Sequence, residues 1–383
     1  MIFDCDKYYT RAVELYRGLH KCAEVGFELD STVAIVKEEL SSLGIEYTEQ
    51  YGKCSVVADI GKGEKSIALR ADMDALPIEE KSGLPFSSKN NGVMHACGHD
   101  SHTAILLAVA AVLKENEERL NCRVRLIFQP SEEGAVSGAK MMVENGVMDG
   151  VDYIICTHCD NALESGTIGV CLGDYMAACV PLRIKFYGRS AHATLPSEGV
   201  DAIAMATKAY FQMKESVEFI AKNRRYIWSV GRISGGTAHN VISDLCEMEI
   251  SFRFYDMAFA EQVRCAVLEI CEKITKDFGG RVEIDWNMST GSVHNDRELV
   301  GRFENAVASC GIPIQPIAPR MSSEDFGWYL VKARGMIFRF GTRNEAMGCT
   351  ALAHCSNFKI DENGMKTAIT AFVTYILCKE IED

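Results

Sequence analysis

Apolar residues recur along the first 180 positions in two alternating patterns. Apolar side chains at three- and four-residue spacing predict helices, whereas short, unbroken apolar runs predict strands that are buried on both faces. The predicted helices cover residues 5–20, 31–43, 103–114 and 137–145. The predicted strands cover residues 55–60, 66–71, 124–129 and 153–158. This alternation is typical of an α/β domain with a mostly parallel sheet and helices on both of its faces.

The pattern changes between residues 180 and 290. Here the predicted order is strand, helix, strand, strand, helix, strand, at residues 181–187, 200–220, 226–233, 245–255, 258–278 and 281–286. This βαββαβ order is that of a ferredoxin-like unit. The first pattern then returns, with a helix at 296–310, a strand at 335–340 and a helix at 363–379. We therefore predict a discontinuous domain of residues 1–179 and 291–383, interrupted by a small inserted domain of residues 180–290.

Composition narrows the class of protein. The 40 basic and 53 acidic residues give a net charge of −13 without a basic run, which argues against nucleic acid and anionic membranes as partners. The longest apolar run, residues 104–113, is shorter than the roughly 20 residues that cross a bilayer. The N-terminal residues lack the pattern of a signal peptide, and the 16 cysteines then favour free thiols in a reducing cytoplasm.

Candidate metal ligands are concentrated before the predicted helix 103–114. Three of the nine histidines, at positions 95, 99 and 102, fall in this segment. Cys97 and His99 flank Gly98, so a turn there can bring a thiolate and an imidazole to one point. Asp100 follows His99 directly, and its carboxylate can hold that imidazole in the ligating tautomer. The cluster predicts a metal site.

Two adjacent carboxylates follow the strand 124–129. Glu132 and Glu133 lie where a parallel sheet places its ligands, at the carboxyl end of a buried strand. Neighbouring residues of an extended chain point to opposite sides, so one carboxylate can bind a metal while the other faces a water molecule. A metal lowers the pKa of such a water from about 15.7 towards about 7, which makes an adjacent carboxylate an effective base.

Two further histidines are candidates for the same edge of the sheet. His158 ends the predicted strand 153–158, and His354 returns to this edge if residues 180–290 are an insertion. Cys156 and Cys159 form a single Cys-x-x-Cys pair, for which a zinc ribbon or a thiol-redox centre is the less favoured alternative.

Two other motifs have alternative readings. Cys97 could act as a nucleophile with a histidine as its base, although the nearby histidines and carboxylates fit a metal-bound thiolate better. The glycines at positions 61 and 63 lack the third glycine and the following helix of a dinucleotide-binding loop, and they predict a hairpin turn instead.

Seven separate segments together resemble one known family. They are residues 69–77, 94–100, 128–134, 188–192, 235–242, 323–326 and 353–358. The chain resembles, from about residue 15 to residue 375, the metal-dependent amidohydrolases that include hippurate hydrolases, N-acyl-amino-acid deacylases and plant indoleacetyl-amino-acid hydrolases. These enzymes belong to the wider aminoacylase and carboxypeptidase group of dinuclear metallopeptidases.

The resemblance implies two divalent metal ions, Mn or Zn, with Ni or Co as alternatives. The implied ligands are Cys97, His99, Glu133, His158 and His354, and Glu132 is the implied general base. Around them, Asp72 and Asp74 match an acidic pair that supports the ligands.

The inserted domain would then be a lid and dimerisation domain, which implies a homodimer. On it, His192 matches a histidine that steadies the oxyanion, and Asn240 and Arg253 match positions that bind the carboxylate end of the substrate. Two positions depart from the family pattern, since Asn161 and Ser243 stand where proline is usual. These departures leave the proposed ligands and the base in place.

The expected activity is hydrolysis of the amide bond of an N-acyl amino acid or a related small amide. A dipeptidase or aminopeptidase that uses the same metals is the nearest alternative. An alternative from another class is a catalytically silent metal-binding or thiol-redox module.

Overall fold

The computed structural model describes residues 5–377, in which helices and strands alternate much as the apolar pattern predicts. The helices are α1 (Cys5–Lys21), α2 (Asp30–Ser42), α3 (His99–Glu115), α4 (Gly138–Glu144), α5 (Ala202–Ala221), α6 (Met257–Phe278), α7 (Arg297–Ser309) and α8 (Asn363–Leu377). The strands are β1 (Tyr47–Thr48), β2 (Val56–Ile60), β3 (Ser66–Asp72), β4 (Arg123–Gln129), β5 (Tyr153–Glu164), β6 (Ile168–Val170), β7 (Gly173–Met176), β8 (Ala178–Tyr187), β9 (Ala191–His192), β10 (Tyr226–Gly235), β11 (Val241–Ile242), β12 (Leu245–Phe254), β13 (Arg281–Asp285), β14 (Val293–Asn295), β15 (Ile314–Pro316) and β16 (Arg334–Arg343).

The chain divides into two compact units. The first contains the residues up to Tyr175, the segment Val293–Pro319 and the residues from Asp325 onward. The second contains Met176–Ser292 and the short segment Arg320–Glu324. None of the helices within residues 5–377 has both the length and the apolar composition needed to cross a membrane.

The first unit is built on an eight-stranded sheet with the order β1-β2-β4-β3-β5-β16-β6-β15. Its central strands β4, β3, β5 and β16 are parallel to one another, as predicted. However, β2 runs antiparallel to β4, and β6 runs antiparallel to β16. The sheet is therefore mixed rather than mostly parallel, because strands of opposite direction flank a parallel centre.

The two faces of this sheet pack against different elements. Alternate residues of β3 and β4, such as Leu69 and Leu126, join an apolar core that includes side chains of α1, α2, α3, α7 and α8. Residues 99–113 of α3 are all buried, as expected of a helix enclosed on every side. On the opposite face, the guanidinium of Arg125 donates to the backbone carbonyl of Val147, just after α4.

The second unit has the chain order β8, α5, β10, β12, α6, β13, with two short strands, β9 and β11, in addition. Its main sheet has the order β10-β12-β8-β13, and every pairing in it is antiparallel. Alternate residues of β12 are buried, and they share a core with the buried faces of α5 and α6. One face of this sheet is thus covered by two helices, as a period-two pattern predicts.

The hairpin predicted at residues 61–66 is not formed. Strands β2 and β3 are not neighbours, because β4 lies between them and pairs with both. The glycines allow a close backbone approach there, since a Cβ at Gly63 would lie 2.3 Å from the carbonyl oxygen of Asn121. The expectation of free thiols agrees with the structure in that the cysteines described within residues 5–377 form no disulfide.

Candidate metal centre

The carboxyl ends of the parallel strands bring the predicted site residues of the first unit together. Asp72 is the last residue of β3, Gln129 is the last residue of β4, and His158 lies in β5. Glu132 and Glu133 follow β4 after a sharp turn at Ser131, whose φ is 51°. The edge at which these strands end is where open α/β sheets hold their ligands.

A glycine turn places Cys97 and His99 at the same edge. Gly98 has a φ of 83°, a left-handed conformation that side chains disfavour, and α3 begins at the next residue. A Cβ at Gly98 would also lie 2.4 Å from the sulfur of Cys159. Both the backbone conformation and the lack of space therefore require glycine between the two candidate ligands.

All five predicted metal ligands converge. The ligand atoms of Cys97, His99 and His158 lie within 4.8 Å of one another, and all three residues are buried. Those of Cys97, Glu133 and His354 form a second group within the same limit. Within these groups, Cys97 Sγ lies 3.4 Å from His158 Nε2, and His354 Nε2 lies 2.9 Å from Glu133 Oε1. Cys97 belongs to both groups, so one thiolate can contribute to two neighbouring cation positions.

Backbone carbonyl groups hold the rings of two histidines in an orientation suited to metal binding. His99 Nδ1 lies 2.8 Å from the carbonyl oxygen of Asp74, and His158 Nδ1 lies 2.8 Å from that of Cys159. A carbonyl oxygen only accepts, so each Nδ1 carries a proton and Nε2 is the nitrogen available to bind a metal. This is the arrangement in which metal-ligating histidines are usually held.

The residues present fit a divalent metal. His99 Nε2 is buried without a hydrogen-bond partner. Such an atom is energetically costly unless another group, such as a metal ion, binds to it. Although burial lowers the pKa of His99, the nearby carboxylates of Asp72 and Asp74 raise it to about 10. The pocket thus favours positive charge at this nitrogen. Thiolate, imidazole and carboxylate donors together suit Zn and Mn.

The thiol of Cys97 is not activated by its surroundings. Burial raises its pKa well above the usual value, and the carboxylate of Glu133 adds to the increase. A catalytic cysteine needs the opposite shift, so the environment argues against the nucleophile alternative and agrees with a thiol that ionises on binding a metal. The buried thiol of Cys159 has a similarly raised pKa, caused mainly by burial, which disfavours the redox alternative.

The carboxylate predicted to hold His99 is the wrong one. The Asp100 side chain turns away from His99, and its Oδ2 lies 2.6 Å from Nδ1 of His20. The reason is helical geometry, since consecutive residues at the start of α3 point about 100° apart. Asp74 takes the position instead, with its carbonyl oxygen on His99 and its Oδ1 3.5 Å from the same Nδ1.

Asp74 also holds the two glutamates. Its Oδ1 accepts a hydrogen bond from the backbone N–H of Glu132 at 2.9 Å, and its Oδ2 accepts one from that of Glu133 at 3.1 Å. The carboxylate of Asp74 thus fixes the backbone of both the candidate base, Glu132, and the candidate ligand, Glu133.

His102, the third histidine of the cluster, has both ring nitrogens occupied. Its Nδ1 lies 2.6 Å from Oδ1 of Asp72, and its Nε2 accepts the backbone N–H of Cys159 at 2.9 Å. It is therefore a buried link between β3 and β5 rather than a ligand. Asp72, predicted to support the ligands, also approaches His99 Nε2 to 3.9 Å.

A buried ion pair behind the glutamates was not predicted. Arg70 donates to Oδ2 of Asp72 at 2.7 Å and to Oδ1 of Asp325 at 2.9 Å. The backbone N–H of Asp325 in turn donates to Oε1 of Glu132 at 3.4 Å. An arginine within an apolar strand, and an aspartate within the segment 323–326, were the sequence signals that could have indicated this pair.

His192 and Asn240 lie together in the second unit. Strand β9 pairs with β11 there, and the N–H of Ala193 donates to the carbonyl oxygen of Asn240 at 2.9 Å. The backbone N–H of Thr194 donates to Nδ1 of His192 at 3.3 Å, so the proton of a neutral ring lies on Nε2. His192 can therefore act as a hydrogen-bond donor, a feature that sequence reasoning did not connect with Thr194.

Arg253 also belongs to the second unit, in β12. Its Nη1 donates to the carbonyl oxygen of Met321 and to the hydroxyl of Ser323, each at 3.0 Å. This pattern ties the short segment Arg320–Glu324 to the sheet of the same unit.

The chain is similar to known proteins over most of its length. The model of "Peptidase family M20/M25/M40" matches residues 68–377. An N-acetyl-L-cysteine deacetylase of Bacillus subtilis is 36% identical over 374 residues, which cover 97% of this chain and 88% of that protein. Thermostable carboxypeptidase 2 of Saccharolobus solfataricus is 34% identical over 369 residues, covering 94% of this chain and 93% of that protein.

A solved structure agrees with both relatives. The crystal structure of a Bacillus subtilis dinuclear metal-binding peptidase of the M20 family superimposes with a TM-score of 0.83 and 31% identity, covering 97% of this chain and 98% of that chain. The family resemblance and the hydrolase class predicted from the motifs are confirmed by these matches. The chain belongs to peptidase family M20/M25/M40.

Proposed function

We propose that the protein is a metal-dependent amidohydrolase that releases an amino acid from an N-acyl amino acid or a related small amide. The observation that carries the proposal is the buried convergence of Cys97, His99 and His158 beside the paired carboxylates of Glu132 and Glu133. The names of the two relatives above describe enzymes whose products include an amino acid with a free carboxylate, which supports this substrate class.

Two divalent ions, Mn or Zn with Ni or Co as alternatives, would be held by the two overlapping groups of ligand atoms. Cys97, His99 and His158 form one group, and Cys97 with Glu133 and His354 forms the other. A related peptidase is described as dinuclear, which supports two ions. When bound, such ions lower the pKa of water towards about 7 and polarise a carbonyl oxygen. The thiolate favours Zn, whereas the carboxylate suits Mn equally.

Glu132 is the proposed general base. It accepts the proton of the attacking water and then delivers it to the nitrogen of the leaving amine. Two features prepare it for this task, since its backbone N–H is fixed by Asp74 and its Oε1 accepts the N–H of Asp325. Its Oε2 lies 4.0 Å from Nε2 of His99, so the carboxylate faces the proposed ligand group.

The second unit is proposed as a lid and dimerisation domain, corresponding to residues 180–290. His192 would donate from Nε2–H to the oxygen that becomes negative during attack, and Asn240 and Arg253 would bind the substrate carboxylate. Two observations support these roles. The proton of a neutral His192 ring lies on Nε2, and the strand that contains His192 (β9) pairs with the strand that follows Asn240 (β11). A homodimer through this unit, and a cytoplasmic location for which the free thiols are the support, complete the proposal.

The test is hydrolysis of N-acetyl-methionine compared with Ala-Met. We expect the purified protein to cleave the acylated substrate, to lose this activity with a chelator and to regain it with Mn or Zn. Preferential cleavage of Ala-Met would indicate a dipeptidase or aminopeptidase instead. Activity that resists the chelator but is lost with a thiol-alkylating agent would contradict metal dependence. If the protein with full metal occupancy hydrolyses neither substrate, it is a catalytically silent module.

A further inference from the structure

The side chain of Asn161 is buried at an irregular point of the sheet. Strands β5 and β16 pair in parallel as far as Asp160 and Gly341, and the register then shifts until Glu164 lies opposite Arg343. Asn161 falls within this shift and is only 3% exposed. Burial of an amide costs free energy unless its polar atoms are hydrogen-bonded, so this side chain needs partners within the protein. Irregular pairing of this kind is common beside active sites, where it redirects side chains.

The amide of Asn161 makes three hydrogen bonds, so that both of its polar atoms have partners. Its Nδ2 donates to the carbonyl oxygen of Ala351 at 2.7 Å and to that of Lys359 at 2.9 Å. Its Oδ1 accepts the hydroxyl of Thr342 at 2.6 Å. Both donors therefore reach one segment of the chain, while the acceptor fixes the amide itself to β16.

That segment carries His354. Residues 344–362 connect β16 to α8 and contain no helix or strand. Ala351 precedes His354 by three residues and Lys359 follows it by five, so a single amide ties both arms of the loop. Within the loop, His354 has a left-handed backbone with a φ of 67°, and its side chain is 54% exposed. Packing alone therefore does little to hold the imidazole, and the loop must place it.

The other backbone contacts of the loop are spread along it. The N–H of His354 donates to the carbonyl oxygen of Ala96 at 2.8 Å. Two further bonds join the loop to the rest of the unit, from the N–H of Lys81 to the carbonyl oxygen of Ser356 and from the N–H of Asp361 to that of Thr342. These contacts should keep the loop in place without Asn161, but with less restraint on the arm that precedes His354.

We propose that Asn161 is a positioning residue that holds the loop 344–362 where His354 meets Glu133 and Cys97, and so sets the affinity for one of the two metal ions. The inference rests on the proposed function. It concerns the ion near Cys97, Glu133 and His354, because His99 and His158 belong to the other group. We call the three hydrogen bonds of the Asn161 side chain the clamp.

Asn161→Leu and Asn161→Asp are the test variants, since leucine removes all three bonds and aspartate removes only the donors. The chain offers a matched control in Asn295, which is fully buried in the same unit. Its Nδ2 donates to the carbonyl oxygens of Cys171 and Ile337, and its Oδ1 accepts the N–H of Ile337. Asn295→Leu and Asn295→Asp therefore remove the same chemistry without touching the loop.

The full-length protein is freed of metal and titrated with Mn²⁺ and, separately, with Zn²⁺, by calorimetry and by metal analysis after gel filtration. We expect the wild type to bind two ions. The Asn161 variants should bind the first ion normally and the second about 10- to 100-fold more weakly, the usual effect of losing an outer partner of a metal site. Excess metal should restore their occupancy. The Asn295 variants should lose thermal stability while keeping both affinities.

Unchanged second-ion binding by the Asn161 variants, or an equal loss by the Asn295 variants, would overturn the clamp while leaving the amidohydrolase proposal intact. A wild type that binds no metal would instead overturn the proposed function itself. Thr342→Val provides a milder variant if the Asn161 variants fail to fold, because it removes only the hydroxyl donor to Asn161. It should weaken the second ion several-fold, and unchanged affinity there would count against the clamp.

Discussion

Arg70 and Asp325 form an ion pair in the interior of the first unit, with 2.9 Å between Nη2 and Oδ1 and with both side chains only 1% exposed. Asp325 also accepts hydrogen bonds from the amide of Gln129 and the hydroxyl of Ser137. Its own N–H donates to Glu132. The pair therefore connects β3 to the segment that touches the proposed base.

Asp325→Asn should destabilise the protein by about 3 kcal/mol, because it leaves the buried guanidinium of Arg70 with less compensating charge. Urea denaturation of the metal-loaded protein measures this change. The control is Glu14→Gln, which breaks the pair with Arg11, in which the two side chains are 62% and 50% exposed. That change should cost less than about 1 kcal/mol. Equal losses in the two variants would show that burial of the pair does not matter.

The adjacent glutamates should respond differently to the same substitution. Glu132→Gln should retain both metal ions and lose about 100- to 10 000-fold in kcat, since it removes only a proton acceptor. Glu133→Gln should retain one ion, because it removes a ligand of the group that contains His354. Metal analysis combined with steady-state kinetics measures both effects. Loss of metal from the Glu132 variant would reassign that residue as a ligand.

His192→Ala should lower kcat by roughly 100- to 1000-fold without changing metal content, as expected for removal of one donor to an oxyanion. The structural reason is that Nδ1 of His192 accepts a hydrogen bond from the backbone N–H of Thr194, so that the proton of the neutral ring lies on Nε2. His294 is a suitable control, because it is 65% exposed and paired with Asp174 in the first unit. A His192 variant with wild-type kcat, or a His294 variant with the same defect, would refute the role.

The sequence located the candidate ligands more readily than their supports. Cys97, His99, Glu133 and His158 are metal-binding residue types beside predicted strand or helix ends, and His354 was implied by the family resemblance. The supports depend on direction instead, and direction follows from tertiary contacts. Asp100 looked suitable from its position beside His99, but the start of α3 turns it towards His20, and Asp74 holds the imidazole.

Pairing within the sheet could not be predicted from local patterns either. The apolar runs located β2, β3 and β4 correctly to within a few residues. They did not reveal that β4 inserts between β2 and β3, because strand order depends on contacts between distant segments. The roles of Asn161 and Asp325 depend on the same long-range contacts, and neither residue type is distinctive by itself.

The last prediction concerns His20, whose Nδ1 contacts Asp100 and whose Nε2 contacts Glu80. Burial lowers the pKa of His20, but these two carboxylates outweigh it and raise the pKa from 6.5 to about 9. The folded protein therefore binds a proton more tightly than the unfolded chain. The resulting stability is fully present below pH 6.5 and is lost as the pH rises through about 9, and the shift corresponds to roughly 3 kcal/mol.

His20→Gln removes this titration while keeping a polar side chain of similar reach. The free energy of unfolding of the wild type should exceed that of the variant by more at pH 6 than at pH 9.5, because only the wild type loses a bound proton over this range. Urea denaturation of both metal-loaded proteins at the two pH values measures the difference. A difference that stays constant, or grows with pH, would mean that His20 is neutral in the folded protein and that Asp100 is balanced by another group.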